Sequence, residues 1–138
     1  MKDIRVLLFL LLAVAVITDL YSNRIPNLLI ITGTVIGIIT TNRLLESISV
    51  SIFCILIFFP AFTIGSLGAG DIKCIAMMSF YLTRQELLWA LFYTFLTAAV
   101  YSVCKIMYYR SFQVRKSKVQ LAFFLLVGAF ISVGGTYL

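Results

Sequence analysis

The sequence predicts an all-α polytopic membrane protein, and three observations predict it. Apolar residues make up 62% of the chain and charged residues only 12%, with a mean hydropathy of +1.11. A soluble domain carries about 25% charged residues, so this chain has too few charges to cover the surface of a soluble globule. Charges instead divide the sequence into six uncharged runs. Those runs are continuously apolar and do not alternate, which argues against a β-barrel. The same composition excludes disorder, a collagen repeat and a disulfide scaffold. At roughly 20 residues per spanning helix, 138 residues hold six or seven helices. The expectation is one transmembrane domain over residues 1–138, with six helices and no room for a soluble domain.

The first run, Val6 to Thr18, ends at Asp19. Lys2, Arg5 and the Ala13-Val14-Ala15 triplet give it the look of a signal peptide. The run continues apolar through Val16 and Ile17, so it reads as the first spanning helix. The second run is Ile25 to Asn42, with Pro26 marking a helix boundary and Asn27 a candidate cap. Ser47 to Gly70 is the third, Cys74 to Thr83 a short fourth, Leu87 to Cys104 the fifth and Val119 to Leu138 the sixth. Trp89 and Tyr93 read as an aromatic belt, and Gly128, Gly134 and Gly135 as close helix packing.

Net charge is +6, and the basic residues lie between the apolar runs. That placement suits anionic lipid headgroups and gives no reason to expect nucleic acid. The loops after helices one, three and five carry seven basic residues: Arg24, Lys73, Lys105, Arg110, Arg115, Lys116 and Lys118. The other side carries four, namely Lys2, Arg5, Arg43 and Arg84. The positive-inside rule puts the first set in the cytoplasm, although Lys2 and Arg5 vote the other way. The basic segment Lys105 to Lys118, with Tyr108, Tyr109 and Phe112, reads as an interfacial anchor; docking of a cytoplasmic partner is the sharper alternative.

There is no His, the commonest general base and metal ligand. Cys54, Cys74 and Cys104 are isolated and form no CxxC pair, so they read as membrane-buried hydrophobes, with no metal site and no cofactor expected. Membrane arithmetic then singles out two acids. Val6 to Thr18 spans only about 20 Å and Cys74 to Thr83 only about 15 Å of a core about 30 Å thick. Arg5 has a stem long enough to snorkel; Asp19 does not. The short fourth run means that the membrane thins there or that the preceding loop, with Asp71, dips to bilayer depth. Each acid alone has an equally good structural explanation: Asp71 as the N-cap of helix four, Asp19 as the end of helix one.

The pair is more informative than either acid. Helices one and four are separated by two spans, so Asp19 and Asp71 come to the same face. Asp3, Glu46 and Glu86 fall on the other. Two carboxylates sharing a site hold one proton between them. An ionised Asp can then deprotonate a water while a protonated Asp polarises a scissile carbonyl, which is amide hydrolysis without His, Cys or Ser. Which Asp holds the proton belongs to the coupled pair. Around Asp71, Gly68 and Gly70 permit unusual backbone angles and close approach of a substrate backbone. Lys73 either biases the carboxylate toward ionisation or contacts lipid phosphate.

Asp19 followed by Ile25-Pro26-Asn27, and then Gly68-Ala69-Gly70-Asp71-Ile72-Lys73 at the start of helix four, resembles the type IV prepilin peptidases, which are GxGD-type intramembrane aspartyl proteases. The resemblance covers essentially the whole chain. It implies that Asp19 and Asp71 are catalytic, with Gly68, Gly70 and Lys73 shaping the loop or binding substrate. It also implies an active site open to the cytoplasm of a bacterial or archaeal cell. The implied substrate is the N-terminal segment of a prepilin or pseudopilin, whose short basic leader precedes a hydrophobic helix and is cut after a Gly. Larger family members carry a four-cysteine zinc domain associated with methylation. This chain lacks the CxxC pairs and looks like the minimal, peptidase-only type found with tight-adherence (Flp-like) pili. Two rivals from other classes stand beside this reading. One is a small proton- or cation-coupled transporter using the same two Asp residues. The other is a non-catalytic subunit of a pilus assembly. Oligomeric state is open.

Overall fold

A computed structural model describes residues 2–22, 24–65, 67–109 and 121–135. Within them the chain forms six α-helices and no strand: α1 (Lys2–Ser22), α2 (Asn27–Thr40), α3 (Leu44–Thr63), α4 (Ala69–Met78), α5 (Arg84–Tyr109) and α6 (Leu121–Gly135). Three are long and apolar enough to cross a membrane: Asp3–Ser22, Leu44–Thr63 and Arg84–Tyr108. Asn27–Thr40 and Leu121–Gly135 are shorter apolar helices.

Helix boundaries depart from the uncharged runs because charges do not stop these helices. Asp3, Arg5 and Asp19 all lie inside α1, and Asp71 and Lys73 lie inside α4. Backbone chemistry sets the ends instead. α3 closes with Gly65 in the left-handed region (φ 79°), where Gly65 N–H donates to Phe62 O and Leu67 N–H to Ala61 O. Only a residue without a Cβ enters that region freely. The third helix therefore stops at Thr63 rather than running to Gly70. α4 starts at Ala69 and stops at Met78, after which Ser79 to Leu82 form a hydrogen-bonded turn. α5 opens on a capping box. Glu86 N–H donates to Thr83 Oγ1, and Thr83 N–H to Glu86 Oε2.

The short α4 is the centre of the bundle. It packs against α2, α3 and α6, and Ile72 and every residue from Cys74 to Met78 are buried. Leu8 and Leu12 of α1, Cys54 of α3 and Leu121, Leu125 and Ala129 of α6 complete the core around it. Many other large apolar side chains of the surrounding helices point outward: Leu45 is 87% exposed and Ile39 77%. That inside-out distribution is the one a lipid solvent rewards. Buried polar groups (Ser47, Ser51, Ser79, Thr94 and Ser132) sit inside, and among the described residues no buried side-chain N or O lacks a partner.

Glycines set the closest helix approaches. Gly33 and Gly37, four residues apart on α2, face α4; a Cβ on Gly37 would come within 2.8 Å of Phe80 Cβ. The α5–α6 interface is the most extensive in the molecule, and Gly128 of α6 sits directly on the Ala90 carbonyl and Thr94 of α5. Gly134 and Gly135 have nothing within 4 Å of an added Cβ, so they do not make the close packing expected of them. Of the cysteines, Cys54 and Cys74 are buried and Cys104 is exposed.

A partly buried ion pair ties three helix ends together. Arg5 Nη2 donates to Glu86 Oε1 at 2.6 Å, with the side chains 16% and 8% exposed. Ser132 Oγ of α6 donates to Glu86 O at 2.7 Å. Arg5 therefore pairs across the bundle instead of snorkelling outward. The basic segment beyond Tyr109 lies outside the described residues. Of its expected extent, Lys105 lies in α5 and stands over the Tyr101 ring at 5.8 Å.

Candidate active site

Asp19 and Asp71 are each half-buried, near the C-terminal end of α1 and in the first turn of α4. Their relative depth follows from helix geometry. Leu11 of α1 and Met77 of α4 both close on Gly33 of α2, which puts these three residues level. Asp19 lies eight residues beyond Leu11, a rise of about 12 Å, and Asp71 six residues before Met77, about 9 Å toward the same end. The two carboxylates thus sit within about one helical turn of each other in depth.

The ends of α3 and α5 extend beyond them, whereas α1, α2 and α4 end or begin close to their height. Ser79 Oγ donates to Ser47 O, which makes the end of α4 level with the start of α3. From there α3 climbs about 24 Å to Thr63, whereas Asp71 is only about 12 Å up. On the other side, α5 is level with α1 at the Arg5–Glu86 pair. It continues about 13 Å past the height of Asp19 before Tyr109. The stacked rings of Phe58 and Phe95, with centroids 5.5 Å apart, bring the two tall helices together. The connection from Thr63 descends to reach Ala69, through Leu67 at the height of Ala61 and an extended Gly68 (φ −78°, ψ 150°).

The two sequence motifs meet in space. A Cβ on Gly70 would touch Ile25 at 3.3 Å, so the loop before Pro26 lies against the start of α4. Asn27 does not cap α2. Pro26 occupies the N-cap position without a side-chain bond, and Asn27 Oδ1 instead accepts a hydrogen bond from Lys73 Nζ at 3.1 Å. Lys73 thereby ties α4 to α2, a contact 46 residues apart in sequence. Nothing in the sequence signalled it. Asp71 does not cap α4 either: the N-cap is Gly68, and Asp71 is the third helical residue. Its Oδ2 accepts the Gly68 N–H at 3.2 Å, while its own N–H donates to Gly68 O at 3.1 Å. This reciprocal pair fixes the carboxylate rotamer and leaves Oδ1 outside that contact. A Cβ on Gly68 would approach Asp71 Oδ2 to 3.1 Å, so the residue at 68 bears directly on the carboxylate.

Chemically, the end of the bundle that holds Asp19 and Asp71 offers two half-buried carboxylates at a similar height, with the flanking loop held by the Gly68–Asp71 hydrogen bond and a lysine–asparagine clasp. Among the described residues no three His, Cys, Asp or Glu side chains come together as a metal-binding group. Two clefts lie at the opposite end, between the α2–α3 turn and the start of α5.

No curated protein and no solved structure matches the chain. Residues 6–103 match the type IV leader peptidase family, a stretch that runs from α1 through most of α5 and contains both motifs and both aspartates. The chain belongs to the type IV leader peptidase family.

Proposed function

We propose that this protein is a membrane aspartyl endopeptidase that uses Asp19 and Asp71 to remove the leader peptide of a prepilin or pseudopilin at the cytoplasmic membrane face. Family membership supports a peptidase. The observation that carries the aspartyl assignment is the common depth of the two half-buried carboxylates, with the ends of α3 and α5 extending beyond them. In the proposed reaction one ionised aspartate takes a proton from water as the oxygen attacks the scissile carbonyl carbon. The other, protonated, donates to the carbonyl oxygen. Collapse of the tetrahedral intermediate breaks the C–N bond, and the leaving amine takes up the proton. The pair lies at the end of the bundle where, in this reading, the hydrophilic leader meets the hydrophobic helix of the substrate.

The cytoplasmic orientation rests on the seven-to-four excess of basic residues on that side. Gly68 and Gly70 act as loop-shaping positions: Gly68 holds the Asp71 carboxylate and Gly70 lets Ile25 close on α4. Lys73 acts as a positioning residue through Asn27. The test is processing of a prepilin substrate by purified protein in mixed micelles. Asp19→Asn and Asp71→Asn are each expected to lower turnover by at least about a thousandfold while helicity and membrane insertion stay unchanged, since removal of one half of an acid–base pair forfeits that scale of catalysis. Normal cleavage by either variant overturns the dyad.

A further inference from the structure

The clefts at the end of the bundle opposite the aspartates are unused by the proposed reaction. One encloses about 150 Å³ between the α2–α3 turn and the α4–α5 turn. A second, shallower one adjoins it, and Arg43, Glu46, Thr83 and Arg84 line both. Among the described residues Arg84 has no ion pair, and the only carboxylate near Arg43 is Glu46, a loose 3.8 Å away. Glu86, the other acid nearby, is taken by Arg5 and by the Thr83 N–H. Two guanidinium groups against one available carboxylate leave a net charge of +1 at the cleft. The start of α3 adds to it. Its N-cap is Arg43 and carries no side-chain cap, so the first-turn N–H groups add their share of the helix dipole, with Glu46 the one acid in that turn. α5, by contrast, is closed by its capping box.

The cleft is also amphipathic. Leu88 lines its mouth, and Leu88 and Phe92, one turn apart on α5, are 58% and 56% exposed. A ligand with one negative charge at its head and an apolar body fits this arrangement; a free anion would use only its upper half. We propose that this cleft binds an anionic phospholipid, with the phosphodiester between Arg43 and Arg84 and the acyl chains running down α5 over Leu88 and Phe92. Its place at the helix ends is where a headgroup lies relative to a spanning bundle. The site is independent of the peptidase chemistry, since neither aspartate contributes to it.

Native mass spectrometry of the full chain, released from micelles containing phosphatidylglycerol or phosphatidylcholine, tests this. Wild-type protein is expected to retain phosphatidylglycerol under activation that strips phosphatidylcholine. Arg43→Gln/Arg84→Gln is expected to lower phosphatidylglycerol occupancy by at least about tenfold, as two lost headgroup contacts imply. Arg84→Gln alone, at an exposed helix-start position with no partner to lose, is expected to lower occupancy partially with no change in thermal unfolding. It carries the test if the double variant fails to fold. Equal retention of phosphatidylcholine, or wild-type retention by Arg84→Gln and the double variant, overturns the proposal. Displacement of the lipid by inorganic phosphate also overturns it, because the site would then recognise a free anion.

Discussion

At the residue scale, the groups that matter most are those whose neighbours come from far away in the sequence. Arg5 and Glu86 are 81 residues apart, yet their side chains meet at 2.6 Å in a nearly dry setting. Removing one partner of such a pair strands the other's charge, which costs about 3 kcal/mol or more, whereas replacing both with apolar groups is close to neutral. Glu86→Ala is therefore expected to lower thermal unfolding in detergent sharply, because it also exposes the Thr83 N–H. Arg5→Met/Glu86→Leu is expected to recover a large part of that loss; no recovery would mean that the ion pair itself, rather than the stranded charge, sets the cost. Lys73 and Asn27 make a subtler pair. Lys73→Met keeps the stem and deletes the donor, so it is expected to lower peptidase turnover by about three- to tenfold, in line with the net worth of one exposed hydrogen bond. If the clasp acts by positioning, Asn27→Leu has the same effect and the double variant is no worse than either single one, which processing rates of the three variants decide.

At the element scale, the number and order of helices were legible in the sequence, because each helix carries an uncharged apolar run. Their ends were not. Asp19, Asp71 and Lys73 looked like boundaries, yet each lies inside a helix, the two acids half-buried and Lys73 exposed. The ends come from Gly65, Gly68, Pro26 and the Thr83–Glu86 box, which are backbone matters that hydropathy does not report. Lateral neighbours were illegible for a related reason. A glycine's spacing says that a helix has a close face but not what meets it, so Gly33 and Gly37 went unremarked while Gly134 and Gly135 were expected to pack and do not. Gly128 was rightly read as a contact, and it supplies a contrast. A Cβ there meets the Thr94 backbone nitrogen at 2.9 Å as well as the Ala90 carbonyl, neither of which can swing aside. Gly128→Ala is expected to destabilise the α5–α6 pair by about 1–3 kcal/mol. Gly134→Ala, with open space around it, is expected to leave the unfolding temperature in detergent unchanged.

At the scale of the whole molecule, the arrangement is a short helix packed among α2, α3 and α6. α4 rises about 15 Å, half of what a bilayer core needs, and the chain reaches it by a descending loop. Its first turn carries the half-buried Asp71 behind an extended Gly68. The companion carboxylate, Asp19, reaches a similar height along the bundle by a different route, as an acid embedded in a longer helix. This geometry makes a sided prediction. Both aspartates belong to the end of the bundle where α1 finishes and α2 and α4 begin, whereas Asn42 lies at the end where Arg5, Arg43 and Arg84 gather. In a variant with Cys54, Cys74 and Cys104 replaced by Ala, single cysteines at positions 19 and 71 are expected to react with a membrane-impermeant maleimide from the cytoplasmic face alone. A cysteine at position 42 is expected to react from the opposite face alone. Labelling of positions 19 and 71 from different faces would break the shared site. Labelling of both from the outer face would keep the site and reverse the orientation, in favour of the vote cast by Lys2 and Arg5.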